Sequence, residues 1–348
     1  MEKYRALVAG QTRGFWPECQ RAGLWLASVP YGLAMRVRNR LYQSGWKKSF
    51  RAPVPVVSVG NLTLGGTGKT PCVEYVARLY RQHELRVAIL SRGYGSSGGR
   101  NDEAMVLEDN LPDVPHLQGA DRTALALTAV EELESEVLLL DDGFQHRRLQ
   151  RDLDIVLVDA TNPWGHDHLF PRGLLREPPA SLRRAGVVML TRCDQVTATS
   201  RDRLRQAIAR HAPQAPLVET RHRATDLANC EQETAGLEQL RRQPIAAFCG
   251  IGNPEAFRAT LLGFEAEISD FRVFPDHHAY TRADVEELRL WAGRQTRACL
   301  IVTTQKDLVK LRLQQLGGRP LWAVRIYLQV EQGKAELERK VLEVVPVH

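Results

Sequence analysis

Three glycines and two threonines set around one lysine are the residues whose spacing most directly implies chemistry. Gly65-Gly66-Thr67-Gly68-Lys69-Thr70-Pro71 follows the apolar run Val56-Val57-Ser58-Val59 and opens a helical pattern. Glycines let a backbone curl so that several N–H groups face one anion, the helix adds its positive end, and a lysine adds a mobile charge. The turn therefore reads as a cradle for nucleotide phosphates built from Gly65, Gly66, Thr67, Gly68, Lys69 and Thr70, with the Thr70 hydroxyl placed for a magnesium ion and Pro71 suited to a first helical turn. The usual GxxxxGK[ST] pattern begins with glycine, and this chain has Thr63 there. The bland alternative is a glycine-rich turn without chemistry.

Carboxylates at the end of an apolar run come next. Val137 to Leu140 ends in Asp141-Asp142-Gly143-Phe144-Gln145-His146. Carboxylates at a strand tip hold magnesium together with substrate phosphates, although Asp-Gly is also a common turn. Asp102 lies just past the small, polar stretch Ser96 to Asn101 and is a candidate general base for an attacking hydroxyl. His277-His278 makes a poor zinc site, because adjacent side chains point apart, and suits proton handling or capping better. Arg172 and Arg176 in a Pro-, Gly- and Arg-rich loop are candidates to clamp phosphates. Thr191-Arg192-Cys193-Asp194 weakly echoes the guanine-reading tetrapeptide of GTPases, with Arg in place of the usual Lys.

The elements that position these residues follow from periodicity. Val54 to Val59 predicts a strand, Val73, Val76, Ala77, Leu79 and Tyr80 a helix, and Arg86 to Leu90 a second strand, a βαβ unit with its glycine loop at the strand's carboxyl end. Thr123 to Glu134 predicts a helix, and Val137 to Leu140, Leu153 to Val158 and Gly186 to Leu190 predict strands buried on both faces. After the breaker Ala212-Pro213-Gln214-Ala215-Pro216, strands at Pro244 to Cys249, Phe271 to Phe274, Cys299 to Thr303 and Leu321 to Leu328 alternate with helices. An N-cap with proline at N1 is expected at Asn253-Pro254, and a capping box at Thr281 to Asp284. The predicted fold is α/β: a P-loop NTPase-like parallel-sheet domain over 52-214, a second, smaller α/β domain over 215-348, and a basic amphipathic N-terminal helix within 1-51.

A chain of 348 residues with 43% hydrophobic and 25% charged residues is globular and long enough for two cores. Its net charge of +6 is unevenly spread: residues 1 to 51 carry ten Lys and Arg against Glu2 and Glu18, and the remainder is close to neutral. A basic end on a neutral body suggests an acidic partner, membrane or nucleic acid. The basic end lacks the aromatic interleaving of a nucleic-acid binder, so no nucleic-acid partner is expected. The apolar window Leu24 to Met35 contains Pro30 and Gly32 and is about half of the ~20 residues a membrane span needs. It is expected to lie on a membrane surface, with Trp16, Trp25 and Tyr31 at the interface and Arg36, Arg38 and Arg40 at anionic head groups; a helix packed on the body is the alternative. The six cysteines are far apart with no CxxC pair, which argues for reduced thiols and against a zinc site.

Taken together these motifs resemble the tetraacyldisaccharide 4'-kinase (lipid A 4'-kinase) family. The resemblance is carried by Gly60 to Pro71, Ser91-Arg92-Gly93-Tyr94-Gly95, Asp102-Glu103, Asp121-Arg122, Asp141 to His146 with Leu149, Arg172 to Pro178, Gly250 to Pro254 and Asp276-His277-His278. A small hydroxyl residue at the position of Thr63 is similar to that family's pattern. The resemblance implies transfer of the ATP γ-phosphate to the 4'-hydroxyl of a tetraacylated glucosamine disaccharide 1-phosphate, with Mg2+, by a peripheral protein at the cytoplasmic face of the inner membrane. It further implies that Lys69 and Thr70 hold the β- and γ-phosphates and the magnesium, and that Asp142, with Asp141 and Glu177 as further ligands, completes the metal site. Gln145 and His146 would line that site. Asp102 would be the base and His277 its partner, with His278 the alternative. Tyr94, Arg122 and Arg176 would position phosphates or substrate, Asn39 would approach the lipid, and two domains would close over ATP to exclude water. The rival class is a membrane-docking, partner-regulated P-loop ATPase or GTPase switch, which has little need of the His pair or the Arg-rich loop.

Overall fold

The computed structural model describes residues 2–93 and 102–346. In chain order the helices are α1 (Glu2–Val8), α2 (Phe15–Gln43), α3 (Lys69–Gln82), α4 (Asp102–Asn110), α5 (Arg122–Glu131), α6 (Ala198–His211), α7 (Pro254–Gly263), α8 (Arg282–Arg294), α9 (Gln305–Leu311) and α10 (Lys334–Leu342). The strands are β1 (Val56–Asn61), β2 (Val87–Ser91), β3 (His116–Gln118), β4 (Val137–Asp141), β5 (Leu153–Asp159), β6 (Val187–Thr191), β7 (Leu217–Ala228), β8 (Thr234–Gly236), β9 (Pro244–Cys249), β10 (Glu267–Val273), β11 (Leu300–Thr304), β12 (Gln315–Leu316) and β13 (Arg319–Gln332).

Two compact units result. One comprises Met1–Arg92, Val114–Arg221 and Leu328–His348, the other Gly93–Asp113 and His222–Tyr327. This division differs from the linear expectation of 1-51, 52-214 and 215-348. Segment Gly93–Asp113 goes with the second unit, where Lys306 Nζ lies 2.9 Å from Glu103 Oε1 and Gln305 Nε2 donates to Asn110 Oδ1 at 2.6 Å. Leu328–His348 goes with the first, where the buried Tyr80 hydroxyl donates to the Val341 carbonyl at 2.8 Å. The N-terminal helices also belong to the first unit rather than forming a segment of their own.

In the first unit the strands lie in the order β7-β6-β5-β1-β4-β2-β3, all neighbours parallel. β1, β2, β4, β5 and β6 are buried at every position, which is why they read as unbroken apolar runs rather than as an alternation. β1 is flanked by β4 and β5, so the loop after β1 emerges beside both of their carboxyl ends, where open parallel sheets hold ligands. α3 buries Val73, Val76, Ala77, Leu79 and Tyr80, the positions expected from helical spacing.

α2 packs one face on the loop that follows β5. Tyr31 donates to the Arg176 carbonyl at 3.0 Å, and a Cβ on Gly32 would lie 2.8 Å from Leu169 Cδ1, so a larger residue would have to displace that methyl. The opposite face carries Trp25, Leu26, Val29, Leu33 and Val37 at 51, 65, 55, 59 and 49% exposure, an apolar stripe at helical spacing left in the open. No described helix is long and apolar enough to cross a membrane.

In the second unit β10-β9-β11-β13 form a parallel sheet, with β12 antiparallel to β13 and β8 antiparallel to the end of β7. Its core gathers around the buried Phe248, which meets Trp291 edge to face at 6.2 Å. Asn253 caps α7 through the Ala256 N–H with Pro254 at the first helical position, and Thr281 with Asp284 forms a full capping box at α8.

Candidate active site

The loop between β1 and α3 is pinned from several sides. Leu64 N–H donates to the Leu174 carbonyl and Arg176 N–H to the Leu62 carbonyl, each at 2.7 Å. Asn61 Nδ2 donates to Thr67 Oγ1 at 2.9 Å in a buried bond. Gly68 caps α3 at φ +89°, a left-handed conformation that favours glycine, so Lys69 and Thr70 begin the helix. Gly66 has no such φ, and a Cβ there would meet no described atom within 4 Å. Neither strain nor a clash with a described atom therefore demands glycine at 66, and the space beside it is open.

β4 delivers the acidic pair beside this loop. Asp142 sits at φ +54° directly after the strand, and Gly143 N–H donates to the Val59 carbonyl at 3.2 Å, tying the turn to β1. A Cβ on Gly60 would fall 2.6 Å from Phe144 Cβ, so glycine at 60 is what lets the two strand ends close. Arg176 Nη1 donates to both Asp142 oxygens at 2.9 and 2.7 Å and to Gln145 Oε1 at 3.2 Å, while Gln145 Nε2 donates to the Asn61 carbonyl at 2.9 Å. Lys69 Nζ lies 3.7 Å from Asp142 Oδ1. Burial pushes the Asp142 carboxyl up, but the Lys69 and Arg176 charges outweigh it and hold it below the usual range. His146 is driven down to about 4 by burial, with Arg122, Arg151 and Arg148 adding to the effect, so its ring is neutral near pH 7. Arg122 is buried at the start of α5, whose N-cap Asp121 accepts from Thr123 and Ala124.

Glu177 and Asn39, expected at the metal and near the lipid, bond to each other. Glu177 is fully buried: Oε1 accepts from Arg38 at 3.2 Å, and Oε2 from Asn39 at 2.8 Å and Arg184 at 2.9 Å. Burial would raise this carboxyl, yet Arg184 leads the contacts that lower it overall. Its donors tie α2 to the loop, and among the described residues no group of three or more His, Cys, Asp or Glu is arranged to hold a metal. Asn39 correspondingly turns inward to Glu177, and its carbonyl accepts from Arg147 at 3.0 Å. The reason is electrostatic: a buried carboxylate between two arginines needs every donor in reach.

The second unit holds a separate constellation. Asp102 at the start of α4 presents Oδ2 to His277 Nδ1 at 2.8 Å, with Lys310 Nζ 3.8 Å away. His277 adopts φ +58° and its N–H donates to the Gly250 carbonyl at 3.1 Å, which turns the ring toward Asp102. His278 goes elsewhere: its ring stacks on Phe274 at 5.0 Å and its Nε2 lies 3.2 Å from the Asp284 carboxylate of the capping box. Burial would raise the Asp102 carboxyl, but the His277 bond and the Lys306, His277 and Lys310 charges hold it at about 2. The same bond raises His277 against the opposing effect of burial. Underneath, fully buried Asp307 accepts from Gly250 N–H at 3.0 Å, the Tyr280 hydroxyl at 3.0 Å and Thr304 Oγ1 at 2.6 Å, fixing the turn that carries the histidines.

Lys306 and Lys310 were not among the residues expected from sequence, although four-residue spacing on a helix that follows a strand tip puts both on one face. Thr191 and Arg192, noted in the sequence only as a weak echo of a guanine-reading tetrapeptide, instead meet the glycine loop: Arg192 Nη2 donates to the Gly66 carbonyl at 2.8 Å and Thr191 Oγ1 to the Thr67 carbonyl at 3.0 Å. Tyr94, expected to position substrate, lies outside the described residues.

A family model described as tetraacyldisaccharide-1-P 4'-kinase matches residues 20–346. The tetraacyldisaccharide 4'-kinase of Anaeromyxobacter dehalogenans is 42% identical over 337 residues, covering 91% of this chain and 89% of the relative. That of Syntrophus aciditrophicus is 38% identical over 343 residues, covering 91% of each. The crystal structure of LpxK from Aquifex aeolicus in complex with ATP superposes with a TM-score of 0.75 at 30% identity, covering 94% of this chain and all of that one.

Proposed function

The chain belongs to the tetraacyldisaccharide-1-P 4'-kinase family and is an ATP-using phosphotransferase of lipid A biosynthesis; on that premise we propose how its own residues divide the reaction. Gly65 to Thr70 hold the β- and γ-phosphates, with Lys69 as the mobile charge and Arg176, Gln145 and Arg122 orienting the phosphates and the β4 tip. The 4'-hydroxyl oxygen of the acceptor attacks the γ-phosphorus. As that O–P bond forms, the bond between the γ-phosphorus and the ADP oxygen breaks, and the hydroxyl proton passes to the Asp102–His277 pair. Phosphoryl transfer asks mainly for positioning and charge neutralisation, so a modest base suffices.

The observation that carries this reading is the 2.8 Å contact between Asp102 Oδ2 and His277 Nδ1. A carboxylate held at about 2 is a weak base while the ring beside it is charged. Once His277 sheds its proton that charge is gone, so the two groups accept a proton as a unit.

Magnesium fits the residues present. The Thr70 hydroxyl in the first turn of α3 and the carboxylates of Asp141 and Asp142 at the tip of β4 offer hard oxygen donors, few enough to leave most of the coordination to phosphates and water. When bound there, the ion would neutralise charge on the β- and γ-phosphates. Lys69 and Arg176 keep Asp142 ionised, and a cation bound there would share its oxygens with them.

The exposed stripe of α2 supports peripheral docking at the cytoplasmic face of the inner membrane, where an acylated acceptor resides. Trp25, Leu26, Val29, Leu33 and Val37 would enter the interface, with exposed Arg36, Arg40, Lys47 and Lys48 against anionic head groups. Docking keeps the helix's packed face, with Tyr31 and Asn39, on the protein.

The test uses the purified full chain with ATP, magnesium and tetraacyldisaccharide 1-phosphate in detergent, with product detected by mass spectrometry. Asp102→Ala should keep ATP affinity and lose turnover. Loss of ATP affinity with unchanged turnover of bound substrate would remove Asp102 from proton transfer.

A further inference from the structure

Thr191 ends β6 and Arg192 follows it, far in sequence from the glycine loop, yet both reach its backbone. Thr191 is fully buried, and its single hydroxyl proton goes to the Thr67 carbonyl at 3.0 Å, nearer than the Val158 carbonyl at 3.5 Å. Arg192 occupies φ +57°, a conformation that non-glycine residues rarely hold unless the surroundings impose it. In that conformation Nη2 reaches the Gly66 carbonyl at 2.8 Å and Nη1 pairs with Asp159 at the tip of β5. Asp159 is itself held, its Oδ1 accepting from Thr161 N–H at 2.9 Å and Thr161 Oγ1 at 2.7 Å.

A trans peptide points its carbonyl and the following N–H in opposite directions. Fixing the Gly66 carbonyl on Arg192 therefore turns the Thr67 N–H to the other side, and fixing the Thr67 carbonyl on Thr191 does the same for the Gly68 N–H. The geometry points to Thr191 and Arg192 as positioning residues for the nucleotide: they hold two successive peptides of the loop with their N–H groups turned toward the bound phosphates. Arg192 acts through orientation rather than charge, because Asp159 already neutralises it and its fork is committed to Asp159 and the loop carbonyl. The inference rests on the reading of Gly65 to Thr70 as the nucleotide cradle.

Equilibrium ATP binding and separate KM values for ATP and for the lipid acceptor test it on the full chain, with melting temperature recorded for each variant. Arg192→Ala and Thr191→Val should each raise the KM for ATP roughly tenfold, the scale of one lost hydrogen bond to an oriented group, and leave the KM for the lipid unchanged. Arg192→Lys and Thr191→Ser should recover most of the loss, since each still donates to the same carbonyl. An unchanged KM for ATP in both disruptive variants, alongside lost ATP binding in Lys69→Met, overturns the positioning role and keeps the cradle. Intact ATP binding in Lys69→Met overturns the cradle itself. Equal losses for ATP and lipid that neither conservative variant recovers mark a folding defect and also overturn the inference.

Discussion

Asp102 and His277 stand 175 residues apart in sequence and 2.8 Å apart in the fold, with the carboxylate nearly enclosed and the ring half open. The pair sits within one compact unit, so its geometry does not depend on the other. Its protonation follows from that enclosure, and pH should report on it.

His277 is raised chiefly by its bond to Asp102, so the fold favours the protonated ring. Its contribution to stability is full below the unfolded value of ~6.5 and is lost as pH rises through the higher folded value. Asp102, held at about 2, contributes stability that persists above the unfolded carboxylate value and disappears only in strong acid. NMR titration should place His277 above ~6.5, and Asp102→Asn should bring it down. Turnover should rise with pH through the same value, and His277→Ala should flatten that limb. A His277 titration unaffected by Asp102→Asn would contradict the coupling.

Asp142 is paired with Lys69 and Arg176 while ionised. Asp142→Asn should lower kcat on the order of 10²-fold and raise the magnesium concentration needed for half-maximal rate. Metal-free ATP binding should change little. Magnesium titration of initial rates provides the measurement, and an unshifted magnesium requirement would take Asp142 out of the metal site.

Glu177 separates a structural role from a metal role. Glu177→Leu strands Arg38 and Arg184 without their carboxylate and should destabilise the first unit by about 3–5 kcal/mol in denaturant unfolding. The magnesium dependence of the rate should stay that of the unmodified protein in Glu177→Gln, which keeps the shape and part of the hydrogen bonding. A raised magnesium requirement in Glu177→Gln would return the residue to the ion.

On α2, Leu26→Glu, Leu33→Glu and Val37→Glu alter side chains that touch little of the protein. Melting temperature should hold, since surface changes usually stay within about 0.5 kcal/mol. Co-sedimentation with anionic vesicles should fall sharply, and the residual binding should weaken with salt because Arg36, Arg40, Lys47 and Lys48 remain. Undiminished vesicle binding would place the membrane contact elsewhere.

Much of the first unit is legible from sequence because its strands are buried on both faces and its phosphate loop is local. β4 and β5 fall within a residue or so of where apolar runs put them. β7 escapes such reading: Leu217–Ala228 interleaves Glu219, Arg221, His222, Arg223 and Asp226 among its apolar positions, and Arg221 and Asp226 find their partners in Glu331 and Arg325, far along the chain. β13 likewise runs past Leu328 through polar residues to Gln332. The site divides the same way. Gly65 to Thr70 and Asp141-Asp142 announce themselves by spacing, whereas Arg192, Lys306 and Lys310 gain meaning only from contacts at separations of 126, 203 and 208 positions. Glu177 shows the converse: a motif position whose chemistry is decided by Arg38 and Arg184, which no local pattern connects to it.

The interrupted course of the chain through its two units has a consequence for the order in which the protein is made. The second unit owns all its residues once Tyr327 has been synthesised. The first, which contains the glycine loop, still lacks β13 beyond that point and α10, whose Val341 carbonyl receives the buried Tyr80 hydroxyl of α3 and whose Glu338 receives Tyr75 at 3.2 Å. Domains usually complete in the order the ribosome delivers them. Here the helix that begins with Lys69 takes part of its support from residues 263 and 261 positions further along the chain, so that support is delivered long after the helix itself.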